Sequence, residues 1–318
     1  MANTIEKLLL AAPRGYCAGV DRAVQTVERA LEQNGAPVYV RKQIVHNKHV
    51  VEDLARRGAV FVDDVRDIPE GALTVFSAHG VSPMVREAAQ ERNLQTIDAT
   101  CPLVTKVHRE AVKFAEEDYT IVLVGHAGHE EVEGTTGEAP ERIVLVENEQ
   151  DVDALRVEDP ERVAFITQTT LSVDETTSIV ERLHERFPSI AGPRTDDICY
   201  ATTNRQAAVK QMAGVCDLLL VIGSRNSSNS VRLVEVSRDC GTEAYLIDNA
   251  GEVREEWLAG KRVVGVSSGA SAPENLVHDL VAFFTARGVS DVQEFNVVRE
   301  DVRFMLPKPI REAAAAAS

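Results

Sequence analysis

The chain writes one structural phrase three times. "LLLAAPRGYCAGVDRAVQTVERAL", "QTIDATCPLVTKVHREAVKFAEE" and "TDDICYATTNRQAAVKQMAG" each read as a short extended segment, a cysteine and then a helix. A long internal period constrains the architecture more than any single motif does. In the first helix Val20, Val24, Val27 and Leu31 share a face and Gly35 stops it; in the second Val104, Val107, Ala111 and Ala115 share a face, and Pro102 suits a first turn. The cysteines are Cys17, Cys101 and Cys199, spaced by 84 and 98 residues.

After each cysteine helix comes a strand that ends in a polar loop: "VYVRKQIVHNKH", "TIVLVGHAGHEEVEG" and "DLLLVIGSRNSSNS". His46, His129 and Asn229 lie 29, 28 and 30 residues after their cysteines. A further strand follows, "AVFVDD", "RIVLVEN" and "EAYLIDN", and then a last strand with a second polar loop, "LTVFSAHGVSP", "RVAFITQTTLSVDE" and "RVVGVSSGASAPEN". His79, Thr169 and Ser271 occupy that loop, 62, 68 and 72 residues after their cysteines. Apolar strands alternating with amphipathic helices imply parallel sheets built from right-handed βαβ units. The expectation is α/β: three small parallel-sheet domains, 1–99, 100–196 and 197–318, around a pseudo-threefold axis. In such sheets the functional loops gather at the carboxyl ends of the strands, so here they would converge on one point.

The 318 residues carry a net charge of −16. That argues against non-specific binding to nucleic acid or an anionic membrane. No run approaches the roughly 18 apolar residues that span a bilayer. The start "MANTIEKLLLAAP" lacks a signal peptide's basic region, so a cytoplasmic protein is expected. The tail "REAAAAAS" is expected to fray. Five widely spaced cysteines make metal or redox use more natural than a disulfide framework.

Three thiolates could bind zinc, but such sites usually add a fourth ligand or close CxxC spacing. On an iron–sulfur cluster they would leave one iron without a protein ligand. Each of the three sits at or near a predicted helix start, where the helix dipole favours the thiolate. Cys216 and Cys240 break the register and are read as small buried residues. The loops offer His46, His49, His79, His126, His129, Thr169, Thr170, Ser227, Ser228, Asn229 and Ser271, with little Lys or Arg beyond Lys48 and Arg225. Each loop taken singly reads as a helix cap. Together, in register around three cysteines, they look like a diphosphate pocket, since free N–H groups at helix starts favour phosphate. Glu131 stands apart, because a carboxyl beside an anionic substrate is unhelpful unless it handles protons. Glu130 is expected to face solvent. Glu133 is left open between a structural hydrogen bond and support of a neighbouring site residue.

"RGYCAGVDRAV", "IVHN", "SAHGVSP", "DATCPLV", "GHEEVEGT", "TQTTLSVDE", "SRNSSNS" and "SSGASAPE" resemble the 4-hydroxy-3-methylbut-2-enyl diphosphate reductase (IspH/LytB) family, over residues from about 8 to the "FMLP" segment near 307. One departure is Glu130, where the family usually has proline. The resemblance implies a trefoil around a [4Fe–4S] cluster on Cys17, Cys101 and Cys199, with one open iron that meets the substrate's hydroxyl. It implies a diphosphate held by His46, His79, His129, Ser227, Asn229 and Ser271, with Thr170 and Ser228 contributing. Glu131 would deliver protons, with Thr169 beside the alcohol. The reaction implied is the last step of the methylerythritol phosphate route: two electrons and two protons remove the allylic hydroxyl as water and leave isopentenyl and dimethylallyl diphosphate. No GxGxxG fingerprint follows the first strand, so electrons are expected from a separate ferredoxin or flavodoxin. Two rivals remain: a non-redox dehydratase resembling quinolinate synthase, which would need no electron donor, and an iron–sulfur sensor or carrier without turnover.

Overall fold

Strand β1 (Lys7–Ala12) buries Leu8, Leu9, Leu10 and Ala11 in a row. An uninterrupted apolar run of this kind belongs to a parallel sheet covered on both faces. The structure, a computed structural model, describes residues 5–316. Further strands are β2 (Val38–Arg41), β3 (Ala59–Val62), β4 (Leu73–Phe76), β5 (Gln95–Asp98), β6 (Thr120–Val124), β7 (Ile143–Val146) and β8 (Val163–Thr167), then β9 (Leu218–Ile222), β10 (Ala244–Ile247), β11 (Val263–Ser268) and β12 (Asp291–Asn296). They form three sheets, ordered β3-β2-β4-β5, β7-β6-β8 and β10-β9-β11-β1-β12. Every pairing in them is parallel.

The three sheets share one order. The segment leading to each cysteine lies beside the last strand of the preceding unit: β5 on β4 ahead of Cys101, and β1 on β11 ahead of Cys17. Ahead of Cys199 the same place is held by a single parallel bridge from Ala191 to Ala164 of β8. The sheets therefore do not follow the expected division 1–99, 100–196 and 197–318 at its start. β1, which leads to Cys17, lies instead in the sheet of the last unit.

Two compact units result. Met1–Ala18, His46–Val50 and Tyr200–Arg303 form one, with the five-stranded sheet; Gly19–Val45, Val51–Cys199 and Phe304–Ser318 form the other, with the four- and three-stranded sheets. In the five-stranded sheet neighbouring residues alternate between two cores. Leu8, Leu10, Leu218, Leu220, Val264 and Val266 pack with Leu280 and Phe284 of the helix Glu274–Thr285. Leu9, Ala11, Leu219 and Val221 pack with Val209 and Met212 of the helix Tyr200–Ala213. Period-two alternation into two dry layers is how a doubly covered sheet uses its residues.

The helix Ala18–Asn34 centres its buried face on Ala23, Val24, Val27 and Ala30, with Val20 and Leu31 half-buried at the rim. Gly35 ends it at φ 76°, its N–H donating to the Leu31 carbonyl, a left-handed stop that glycine alone adopts without strain. The tail expected to fray, "REAAAAAS", is helical in its described part. A helix spans Lys308–Ala316, anchored by buried Ile310 and by Gln33 Nε2 donating to the Ile310 carbonyl at 3.1 Å; residues 317 and 318 lie outside the described residues. Among the described residues no helix is long and apolar enough to cross a membrane.

Candidate active site

All three repeat cysteines immediately precede a helix: Ala18–Asn34 after Cys17, Pro102–Glu116 after Cys101 and Tyr200–Ala213 after Cys199. Cys101 is the N-cap itself, with Pro102 in the first turn as expected. None of the three forms a disulfide, and each is half-buried. Each backbone N–H donates to the loop after the last strand of the preceding unit: Cys17 to the Ala270 carbonyl at 3.1 Å, Cys101 to Ala78 at 2.9 Å and Cys199 to Thr169 at 3.0 Å. Those acceptors precede Ser271, His79 and Thr170. The structural register thus matches Thr170, one residue beyond the expected Thr169, with His79 and Ser271.

Charged side chains absent from the motif reading fix these cysteine segments. Arg205, fully buried, donates to the Gly15 carbonyl at 2.6 Å and to Glu300 Oε1 at 3.0 Å. Arg22 donates to the Thr100 carbonyl at 3.0 Å. Asp197, with a fully buried side chain, accepts from the Thr167 N–H at 2.9 Å and from Lys106 at 2.8 Å. Removing one member of a buried ion pair typically costs several kcal/mol. Arg205→Ala is accordingly expected to lose about 3 kcal/mol of stability, read as a lower Tm in thermal unfolding, and to loosen the Cys17 loop. An unchanged Tm would show that Arg205 holds nothing.

The polar loops stand at the carboxyl ends of the strands. In the first unit Ser271 Oγ donates to the His46 carbonyl at 2.8 Å, and His46 Nδ1 lies 3.4 Å from Asn226 Nδ2. Asn229 Oδ1 accepts from the Ala270 N–H at 2.9 Å, and its amide donates to Thr202 at 3.2 Å. Ser227 caps the helix Ser228–Asp239; the capping role weighed for this loop is real. In the second unit His129 caps the helix Glu130–Thr136, its Nδ1 accepting the Glu131 N–H at 3.2 Å. Glu131 Oε1 accepts from the Thr169 N–H at 2.6 Å, and Oε2 from the Thr169 hydroxyl at 3.1 Å. Gln168, almost fully buried, ties two loops together: its amide donates to Thr170 Oγ1 at 2.8 Å and its carbonyl accepts from His126 N–H at 3.1 Å.

Burial drives the electrostatics here. It raises the Glu131 carboxyl to about 7, against the two Thr169 hydrogen bonds and with help from the Asp197 charge. It lowers His129 and His79 to about 4 each, and the Lys42 ammonium adds to the effect on His79. Near pH 7 this loop set therefore holds neutral imidazoles and a carboxyl that still carries its proton about half of the time. It suits proton donation and hydrogen bonding to an anion better than charge pairing.

The chain matches the LytB protein family over residues 8–285. It belongs to that family. The 4-hydroxy-3-methylbut-2-enyl diphosphate reductase of Nocardia farcinica is 61% identical over 311 residues, covering 98% of this chain and 93% of the relative. The reductase of the same name from Cutibacterium acnes is 59% identical, over 98% and 97%. Among solved structures, the E-1-hydroxy-2-methyl-but-2-enyl-4-diphosphate reductase of Plasmodium falciparum superposes with a TM-score of 0.95 at 39% identity, over 98% of this chain and 99% of that one. A second, an (E)-4-hydroxy-3-methyl-but-2-enyl diphosphate reductase described as the terminal enzyme of the non-mevalonate pathway, gives a TM-score of 0.63 at 32% identity, over 89% and 100%.

In this LytB chain two expectations change. Cys216 is buried as expected and its thiol is pushed up to about 11, but Cys240 is exposed. It ends the helix Ser228–Asp239, and Gly241 at φ 84° turns the chain back there. Glu130 does not face solvent; it is largely buried, with Oε2 3.2 Å from His79 Nδ1. Glu133, left open between two roles, is half exposed and pairs with Lys42 at 2.7 Å. His108 went unnoticed as a helix-face residue. It is buried, its Nδ1 lies 2.7 Å from Glu138 Oε1, and a Cβ at Gly80 (φ 84°) would come within 3.0 Å of its ring. It thus sets the packing behind the His79 turn.

Proposed function

We propose that this chain is a 4-hydroxy-3-methylbut-2-enyl diphosphate reductase. It removes the allylic hydroxyl as water, using two electrons and two protons, and releases isopentenyl and dimethylallyl diphosphate. The observation that carries this reading is the identity to named reductases along 98% of the chain. The site chemistry agrees with it. Three half-buried thiols outside any disulfide, each at a helix start and each with its backbone N–H fixed, form a donor set suited to an iron–sulfur cluster. Cys17, Cys101 and Cys199 would hold a [4Fe–4S] cluster with one open iron. Bound there, it supplies electrons and Lewis acidity toward a poor leaving group.

The protein's own residues do the rest. His46, His79, His129, Ser227, Ser228, Asn229, Ser271 and Thr170 bind the diphosphate. His129 presents a neutral Nε2–H, because its Nδ1 is occupied by the Glu131 N–H. Glu131 keeps a proton near pH 7 and donates it to the departing hydroxyl, while Thr169 holds the carboxyl in place.

Electrons come from an external ferredoxin or flavodoxin. An anaerobic assay with the allylic alcohol diphosphate and a reduced dye is expected to give both products. NADPH alone should give none, and a ferredoxin or flavodoxin system should restore turnover. No turnover with the dye would sink the reductase reading; brisk turnover on NADPH alone would sink the external donor. Product formation without electron consumption would favour the dehydratase.

A further inference from the structure

His79 and His129 belong to two loops of the same unit, and their rings meet edge to face, with centroids 6.0 Å apart and planes at 84°. Their Nδ1 neighbours differ. At His129 the neighbour is a donor, the Glu131 N–H, so the hydrogen of the neutral ring sits on Nε2 and that nitrogen is a donor. At His79 the neighbour is Glu130 Oε2, 3.2 Å away. An ionised Glu130 carboxylate only accepts, so it would hold the hydrogen of a neutral His79 ring on Nδ1 and leave Nε2 without one. A bare lone pair cannot donate to a phosphate oxygen. Both side chains are largely withdrawn from water, at 13% and 14% exposure.

We infer that Glu130 is a positioning residue that fixes the tautomer of His79, so that diphosphate binding at His79 takes up a proton there. The inference rests on the diphosphate reading above. The protonated ring then lies between two anions and donates one N–H to each, an arrangement in which both hydrogen bonds are charge-assisted. Burial and the Lys42 ammonium push His79 down to about 4, so the proton arrives with the anion. Two neighbouring groups of the same unit do not replace this step. Lys42 is itself paired with Glu133 at 2.7 Å, and His129 already carries its hydrogen on Nε2.

The test is a calorimetric titration of anaerobically prepared holoprotein with inorganic diphosphate at pH 7.5. Two buffers of different ionisation enthalpy give the number of protons taken up. The comparison is Glu130→Pro. Glu130 is the first residue of its helix, where proline is favoured, and His129 before it already has the extended backbone (φ −77°, ψ 135°) that a following proline requires. The wild type is expected to take up about one more proton per diphosphate than the variant, the ligand's own titration cancelling in the difference. Its affinity should accordingly fall more steeply with rising pH, by up to about tenfold more per pH unit. Glu130→Gln, whose amide can donate to Nδ1, should lose the extra proton as well, and it serves if the proline variant folds poorly. Equal proton counts in chains that all bind diphosphate would overturn the inference and leave the reductase reading intact. A wild type that binds no diphosphate would overturn both, and failure with the allylic substrate and reduced dye would mark that as a failure of the reductase reading.

Discussion

Cys101→Ser is expected to leave a folded protein that turns over no allylic diphosphate. Cys101 is the N-cap of the helix Pro102–Glu116, and its side chain makes no capping hydrogen bond. Serine is among the best N-cap residues, so the substitution does not weaken the helix start. What it removes is the thiolate, the form in which sulfur ligates metal. A structural role for the sulfur would therefore predict little change, and a ligand role predicts complete loss. Anaerobically purified wild type should carry about four irons per chain, as a [4Fe–4S] cluster requires. The variant should lose most of that iron and its turnover while its Tm as metal-free protein stays near that of metal-free wild type. Cys17→Ser and Cys199→Ser should behave alike. Cys216→Ser and Cys240→Ser serve as controls: Cys216 lies in a core and Cys240 at an exposed helix end, and neither should reduce turnover. Full iron content and normal turnover in Cys101→Ser would remove the cysteine assignment.

The sequence made the fold legible because the same pattern recurred three times, and each copy constrained the others. Runs such as Leu218–Ile222 and Val163–Thr167 are buried throughout, and such runs fit little besides the interior of a parallel sheet. The cyclic closure was not legible. Nothing local in "KLLLAA" distinguishes pairing with β2 from pairing with β11; that choice depends on a contact some 250 residues away. The cysteines and Glu131 stood out as candidates because each is chemically out of place in its segment. Arg205, Asp197 and Gln168 were not, because a buried polar residue looks like a surface one until its partners are known. Arg205 reads as an ordinary helix-face cation, yet it is fully buried against Gly15 and Glu300. Glu130 was misread for the same reason: a charged residue at a helix start is usually solvated, and only the approach of His79 shows that this one is not.

Glu131→Gln is expected to lower kcat by roughly 10²-fold or more, the scale of lost general-acid help, with KM for the substrate moved little. Glutamine keeps the shape, and its carbonyl still accepts the Thr169 N–H that now reaches Oε1 at 2.6 Å. It lacks only the proton. Burial holds the wild-type carboxyl at about 7, so the acid form prevails below that pH and kcat should fall about tenfold per unit well above it. Stability runs the other way. The folded pKa lies above the unfolded one, so the carboxylate resists burial. The resulting cost is absent below the unfolded value, grows as pH rises between the two and is complete above about 7. A rise from 4.5 to about 7 corresponds to about 3 kcal/mol at full ionisation. The Gln variant should thus match the wild type in Tm at pH 4 and exceed it at pH 8, while losing its turnover at both. Thr169→Val separates the hydroxyl from the acid. The hydroxyl stabilises the charged carboxyl, so its removal should carry the alkaline limb of the rate profile to higher pH and cost less than the loss of Glu131. Near-native turnover in Glu131→Gln would make Glu131 a residue that only orders its loop, and the proton source would have to be sought elsewhere.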